Sequence, residues 1–141
     1  MTVTANSIIT PQKAVTFTAV ATAAETTFNS PTNVVTLVDE TVGGNNDNGL
    51  RITSLNVINR NNNLAAGVNC QLYRKQATAY TLLASVLLAS GNPSATVANQ
   101  IADFGYYEDN PLILGAGVGL AIAIGSPAAN GVVFRASGGA Y

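Results

Sequence analysis

The side chains in this chain that could move a proton or hold a cation are few, and their spacing suits neither task. Adjacent or nearly adjacent carboxylates occur at Asp39-Glu40 and at Asp103 with Glu108-Asp109. A glycosidase-type site needs two carboxyl groups facing one sugar. Neighbours on a strand point to opposite faces, so neither doublet is a ready-made pair. The expected roles are solvated turns or contacts between subunits. The run Gly43-Gly44-Asn45-Asn46-Asp47-Asn48-Gly49 offers oxygen donors of the kind calcium takes. Its sole carboxylate is Asp47, and it reads better as a loop of residues that tolerate positive φ.

Histidine is absent, which removes Ser-His-Asp and Cys-His nucleophiles, the common zinc sites and the usual near-neutral base. Cys70 is the one cysteine. It alternates with Val68 and Leu72, as a small core residue would, and it has no internal disulfide partner. GAGVGL at 115–120 has the glycine content of a nucleotide-binding turn but lies between strand patterns and opens no helix. The sequence therefore predicts no catalytic residue, no metal and no cofactor. The densest aromatic group is Phe104 with Tyr106 and Tyr107. It would either contact a sugar or partner protein from a loop, or place Phe104 and one Tyr as a cap on the core.

These residues must be carried by elements whose pattern is β throughout. Val15, Phe17, Ala19 and Ala21 alternate with Thr16, Thr18, Val20 and Thr22, the period of a strand with one apolar face. Val34–Val38, Leu50–Arg60, Val68–Lys75 and Val132–Ala136 read as further strands, with Asn-, Gly- and Pro-rich turns between them. Residues 97–105 fit a short strand or a helical turn. Residues 77–89 are ambiguous: Leu82, Leu83, Val86 and Leu87 would suit a helix face, but the neighbouring segments favour strand or mixed structure. About eight short strands predict a single antiparallel β-sandwich over 13–141, with a jelly roll as the specific form. Residues 1–12, a Thr-rich stretch ending around Pro11, read as an extended N-terminal arm.

From Asn110 to Phe134 no residue is charged. A helical membrane span would need about 20 apolar residues, and Gly115 and Gly119 would give it a close-packing face. Leu120, Ile122 and Ile124 alternate with Ala121 and Ala123 instead, and Pro127 and Asn130 interrupt the window. The expectation is strand, glycine turn, strand, and no membrane partner. Only 9 % of the residues are charged, against about 25 % in ordinary domains. Thr, Asn, Ser and Gln build the polar surface, which suits a protein packed closely against neighbours, where few charges need desolvation. Seven acidic and six basic residues leave a net charge of −1, and no basic cluster exceeds Arg74-Lys75, so no nucleic-acid footprint is expected. The first residues lack the basic and apolar regions of an export leader, which predicts synthesis in a cytoplasm without standard export.

The opening TANSIITPQKAV, the middle RITSLNVINR with NCQLYRK, and DFGYYEDNPLILGAGVGLAIAIG resemble small virion proteins from the structural modules of tailed bacteriophages. The resemblance runs over most of the chain in order. It implies a jelly-roll-like capsid cement or decoration protein, bound to the major capsid protein on the outside of the shell as a homotrimer, assembled in the host cytoplasm and without catalytic residues. An arm of this kind would add a strand to a capsid edge or a neighbouring protomer. The candidate contacts are Thr2, Val3, Thr4, Ile8, Ile9 and Pro11. The competing expectation is a tail-tip module that binds host glycan through Tyr106, Tyr107 and the Asn-rich loops, with Phe104 beside them in the same candidate surface group.

Overall fold

The computed structural model describes residues 11–40 and 48–141. Nine strands are formed among them: β1 (Lys13–Ala21), β2 (Val35–Val38), β3 (Leu50–Asn59), β4 (Val68–Gln76), β5 (Ala79–Leu88), β6 (Ile101–Asp103), β7 (Leu112–Leu114), β8 (Gly119–Ile124) and β9 (Val132–Ala140). They make two antiparallel sheets packed face to face, a β-sandwich. Sheet A has the order β1-β9-β3-β6, with β7 also paired to β3. Sheet B has the order β2-β8-β4-β5.

The pairings are nested. β4 pairs with β5, β3 with β6 and β7, β2 with β8, and β1 with β9. The chain thus behaves as one long antiparallel ribbon, folded back at the β4–β5 turn. Ribbon segments are then joined sideways where β9 meets β3 and β8 meets β4. Alternation decides which side chains go inward. Phe17 and Ala21 of β1, Leu50, Ile52, Leu55 and Val57 of β3, and Phe134 and Ala136 of β9 meet Leu72, Leu88, Leu120, Ile122 and Ile124 from sheet B. Each large apolar side chain fully removed from water in this way contributes about 1.5–3 kcal/mol.

Residues 77–89 are resolved in favour of a strand. β5 pairs with β4 along its length, with one slip in register that leaves Leu83 as the extra residue of a bulge. The segment 112–124 differs from the expected local pair: β7 lies in sheet A and β8 in sheet B. The glycine-containing link therefore crosses between sheets, because β7 and β8 each find a partner among earlier strands. The last strand also runs further than its apolar residues, through Ser137-Gly138-Gly139-Ala140. Partners on both sides hold that stretch extended, and Gly138 is required there because a Cβ would overlap the Arg51 carbonyl at the β3 bulge.

β8 is buried on both faces. Ala121 and Ala123 point away from the main core and form a second cluster with Tyr73, against which Val34 and Tyr80 pack. The connection between β1 and β2 lies over this outer surface of sheet B: Ala24 bridges Ile124, and the Glu25 amide donates to the Ile124 carbonyl.

Candidate functional site

Three of the candidate carboxylates, Glu40, Asp103 and Glu108, are engaged by backbone amides or by single cations. Glu40 lies 3.4 Å from the Lys75 ammonium and also accepts from the Ala77 amide, which fixes the tight β4–β5 turn where Ala77 has φ 54°. Asp103 accepts from the Gly105 amide, and Glu108 pairs with Arg51 at 2.9 Å. Among the described residues no three His, Cys, Asp or Glu side chains gather as a metal-binding group. The 43–49 loop considered for calcium lies outside the described residues, apart from Asn48 and Gly49. No described helix is long and apolar enough to cross a membrane.

One carboxylate that sequence reasoning passed over is the most elaborately held. Glu25 is 3 % exposed. Its two oxygens accept from the backbone amides of Thr27, Thr32 and Asn33. Its own carbonyl accepts from Gln71 Nε2, and the Tyr73 hydroxyl donates to Gln71 Oε1. The amide of Asn33 above all, aided by Thr32 and Thr27, holds the Glu25 carboxyl below its ordinary pKa against the opposing cost of burial. Burial pushes the Tyr73 phenol upward, and the Glu25 charge adds to this. The chemistry is structural: a carboxylate saturated by backbone donors ties the 24–34 connection onto sheet B. Only an isolated acid among Thr, Ala and Asn marked it in the sequence, and that pattern carries no recognisable motif.

Cys70 is fully buried and faces the main core. Burial pushes its thiol pKa up to about 12, slightly opposed by the Leu88 backbone, so the nucleophilic thiolate is suppressed.

The aromatic group divides. Phe104 lies 6.2 Å from Phe134, ring centre to ring centre, and both Phe104 and Tyr106 pack on the core. Tyr107 is exposed, and its phenol is raised chiefly by the negative charge of Asp103. In the Asn61-Asn62-Asn63 tip, Asn61 is buried and fully engaged: its side chain bonds Asn59, the Gly131 carbonyl and the Asn130 amide. Of the expected arm contacts, Thr2, Val3, Thr4, Ile8 and Ile9 lie outside the described residues. Pro11 is described, and it sits on the outer face of sheet A against Gly139, where a Cβ would overlap its ring.

Two surfaces remain as candidates for recognition. The first is the edge formed by β5. The sequence of this ten-residue strand, AYTLLASVLL, contains neither charge nor proline, and among the described strands none pairs with its far side. Leu82 and Leu87 stand opposite Tyr73 and Asn69 on the outward surface, and Leu87 is 68 % exposed. Edges are ordinarily blunted by Lys, Pro or bulges, and here only the Leu83 bulge does so. β6, at the edge of sheet A, adds Ile101, which is 62 % exposed.

The second is a trough on the outer face of sheet A. Outward rows across β1, β9 and β3 are Ala14–Gly139–Arg51, Thr16–Ser137–Ser54 and Thr18–Arg135–Asn56. The middle strand carries glycine in the first row and a serine no larger than its neighbours in the second, so the floor is low along β9. In the third, Arg135 leans aside to donate from Nε to Asn56 Oδ1. Two cavities of about 480 and 300 Å³ share Thr16 and Ser137 along this line. The polar rim belongs to Thr16, Thr18, Thr53, Ser54 and Asn56, and the Pro11 end is bounded by Arg51 and Glu108.

No protein-family model, no curated protein and no solved structure matches the chain.

Proposed function

We propose that this chain is a structural virion protein of the capsid cement type, with a binding and not a catalytic role. It attaches to the outside of the major capsid shell and stabilises it, as a self-associated homotrimer. The observation that carries the reading is the β5 edge: ten uncharged residues whose far side pairs with none of the described strands, with exposed leucines at 82, 83 and 87. Such an edge can accept a strand from a neighbour by main-chain hydrogen bonds while its leucines supply apolar contact. The sparse charge of the whole chain favours the same role, because close packing against a shell then desolvates few ions. Many copies acting together stabilise the assembled state by mass action even when each binds weakly. The nested strand pairing supports reading the sandwich as a jelly roll, and the sequence resemblance to tailed-phage virion proteins points the same way. With Phe104 and Tyr106 packed on the core and Asn61 engaged internally, the glycan-binding alternative keeps only Tyr107 of its aromatic group on the surface.

The test has two parts. Immunogold labelling of purified virions should decorate the whole head densely; label confined to the tail, or absent, overturns the proposal. In solution, Leu82→Lys with Leu87→Lys should weaken co-sedimentation with shells by about tenfold or more, since each buried leucine is worth about 1.5–3 kcal/mol. Full binding by the double variant would remove β5 from the interface.

A further inference from the structure

The outer face of sheet A changes character beyond the trough. There one row is apolar across all four strands: Val20 of β1, Val133 of β9, Ile58 of β3 and Ile101 of β6 are neighbours in register. Alternation turns them outward, because the buried residues beside them, such as Ala21, Phe134 and Val57, point into the core. None of the four joins or packs against either apolar cluster of the molecule, and Ile101 is 62 % exposed. We propose that this row is the contact between two copies of the chain, packed face to face about a two-fold axis that runs along the strands between β9 and β3. The inference goes beyond the cement reading and does not rest on it.

Three observations select a second copy as the occupant. First, the row is its own complement. Rotation about that axis sets β1 over the β6 of the second copy and β9 over its β3. Val20 then meets Ile101, and Val133 meets Ile58. Two aligned sheets stand about 10 Å apart in such a packing, and the same patch serves both partners. Second, the adjacent row carries both signs of charge. It reads Thr18, Arg135, Asn56, Asp103 across the sheet. Within one copy Arg135 stops at Asn56, to which it donates from Nε, and its terminal amino groups have no partner among the described residues. Asp103 accepts from the Gly105 amide and pairs with no cation among the described residues. The rotation brings each Arg135 within one strand spacing, about 4.8 Å sideways, of the Asp103 of the second copy. The guanidinium leans towards that carboxylate and away from its own equivalent, closing an ion pair on either side of the axis. Third, the other cation at this end is kept clear. The Arg60 amide donates to the Gly131 carbonyl beside it, so after rotation Arg60 faces the Gly131 of the second copy and not another arginine.

The experiment uses purified full-length protein without shells and reads mass by sedimentation over a range of concentrations. The native chain should associate in even numbers, as dimers, or as hexamers where a three-fold contact also holds. Monomers or trimers at the highest concentration would overturn the proposal. Arg135→Asp alone and Asp103→Arg alone should each weaken the two-fold association by about tenfold or more, since each sets like charges across the contact; unchanged association of either would overturn it. An equimolar mixture of the two variants guards against a folding defect. Every facing pair in a mixed dimer is of opposite sign, so the mixture should regain native association. A mixture no stronger than its components would also overturn the proposal.

Discussion

The two outer faces of the sandwich are finished in opposite ways. On sheet B, Tyr73, Gln71, Ala121 and Ala123 would be solvent-facing by alternation, yet all are buried, because the Glu25 segment lies over them. On sheet A, three equivalent outward rows hold Thr, Ser, Gly, Asn and Arg with a single Ala, which need no cover and leave a trough. Alternation alone thus assigns sides of a sheet but not water. A face becomes interior only when another stretch of chain is fastened across it, and that fastening can depend on one charged residue.

The largest effect expected from this contrast comes from replacing the covered side chain. Tyr73→Ala should cost about 3–5 kcal/mol, as for other fully buried aromatics, whereas Thr16→Ala in the open trough should stay within about 0.5 kcal/mol. Urea denaturation of the two variants checks this, and equal costs would mean that both outer faces are equally interior. The fastening itself should matter less. Glu25→Gln keeps one acceptor oxygen and loses the charge that three amides address, so a loss of about 1–3 kcal/mol is expected.

The same residue gives the fold an acid dependence with a defined sign. The folded-state pKa of Glu25 is lowered, so its contribution is complete above the ordinary glutamate value of about 4.3. It is lost as the pH falls through the depressed folded value. Denaturation midpoints should therefore drop on acidification in the native protein and drop less in Glu25→Gln; parallel curves would assign the acid sensitivity elsewhere. The smallest effect concerns Cys70. A thiol reagent at pH 8 should label the native protein only at the rate at which the core opens, and full labelling should appear with denaturant. Rapid native labelling would show that the side of the sandwich near β5 opens much more easily than its burial implies.

Much of this architecture was legible in the sequence because one-sided strands write their burial directly into alternation. Val15, Phe17, Ala19 and Ala21 announce β1, and Leu50 to Arg60 announces β3, since only one of their faces meets the core. The pattern becomes unreadable where both faces are covered or where partners are distant. Gln71 looks like a surface residue, and only the Glu25 connection makes it interior. Leu112–Leu114 and Gly119–Ile124 look like a local pair, because nothing local records that β7 belongs beside β3 and β8 beside β2 and β4. Ser137–Ala140 looks like a tail, because its order comes from strands on either side and not from its own side chains. The candidate surfaces were legible to a lesser degree. The leucines of β5 were visible as ambiguous apolar residues, but their exposure depends on β5 lying last in its sheet. The aromatic cluster was visible as composition, and only packing against Phe134 separates Phe104 from the exposed Tyr107.

The nested ribbon also sets a timetable for how the molecule comes into being. β9 is the middle strand between β1 and β3, so β1 has no lateral partner among the described strands until Val132–Ala140 has been made. Sheet A cannot close progressively as the chain emerges. Sheet B meets a milder form of the same delay, since the hairpin of β4 and β5 forms early but waits for β8. Contacts between sequence-distant strands are slow to form because the intervening loop must be closed first. Newborn chains therefore pass through a stage in which β1 and the uncharged β5 edge are both available to other nascent copies. At high expression that stage, and not the finished fold, governs how much protein reaches its native state.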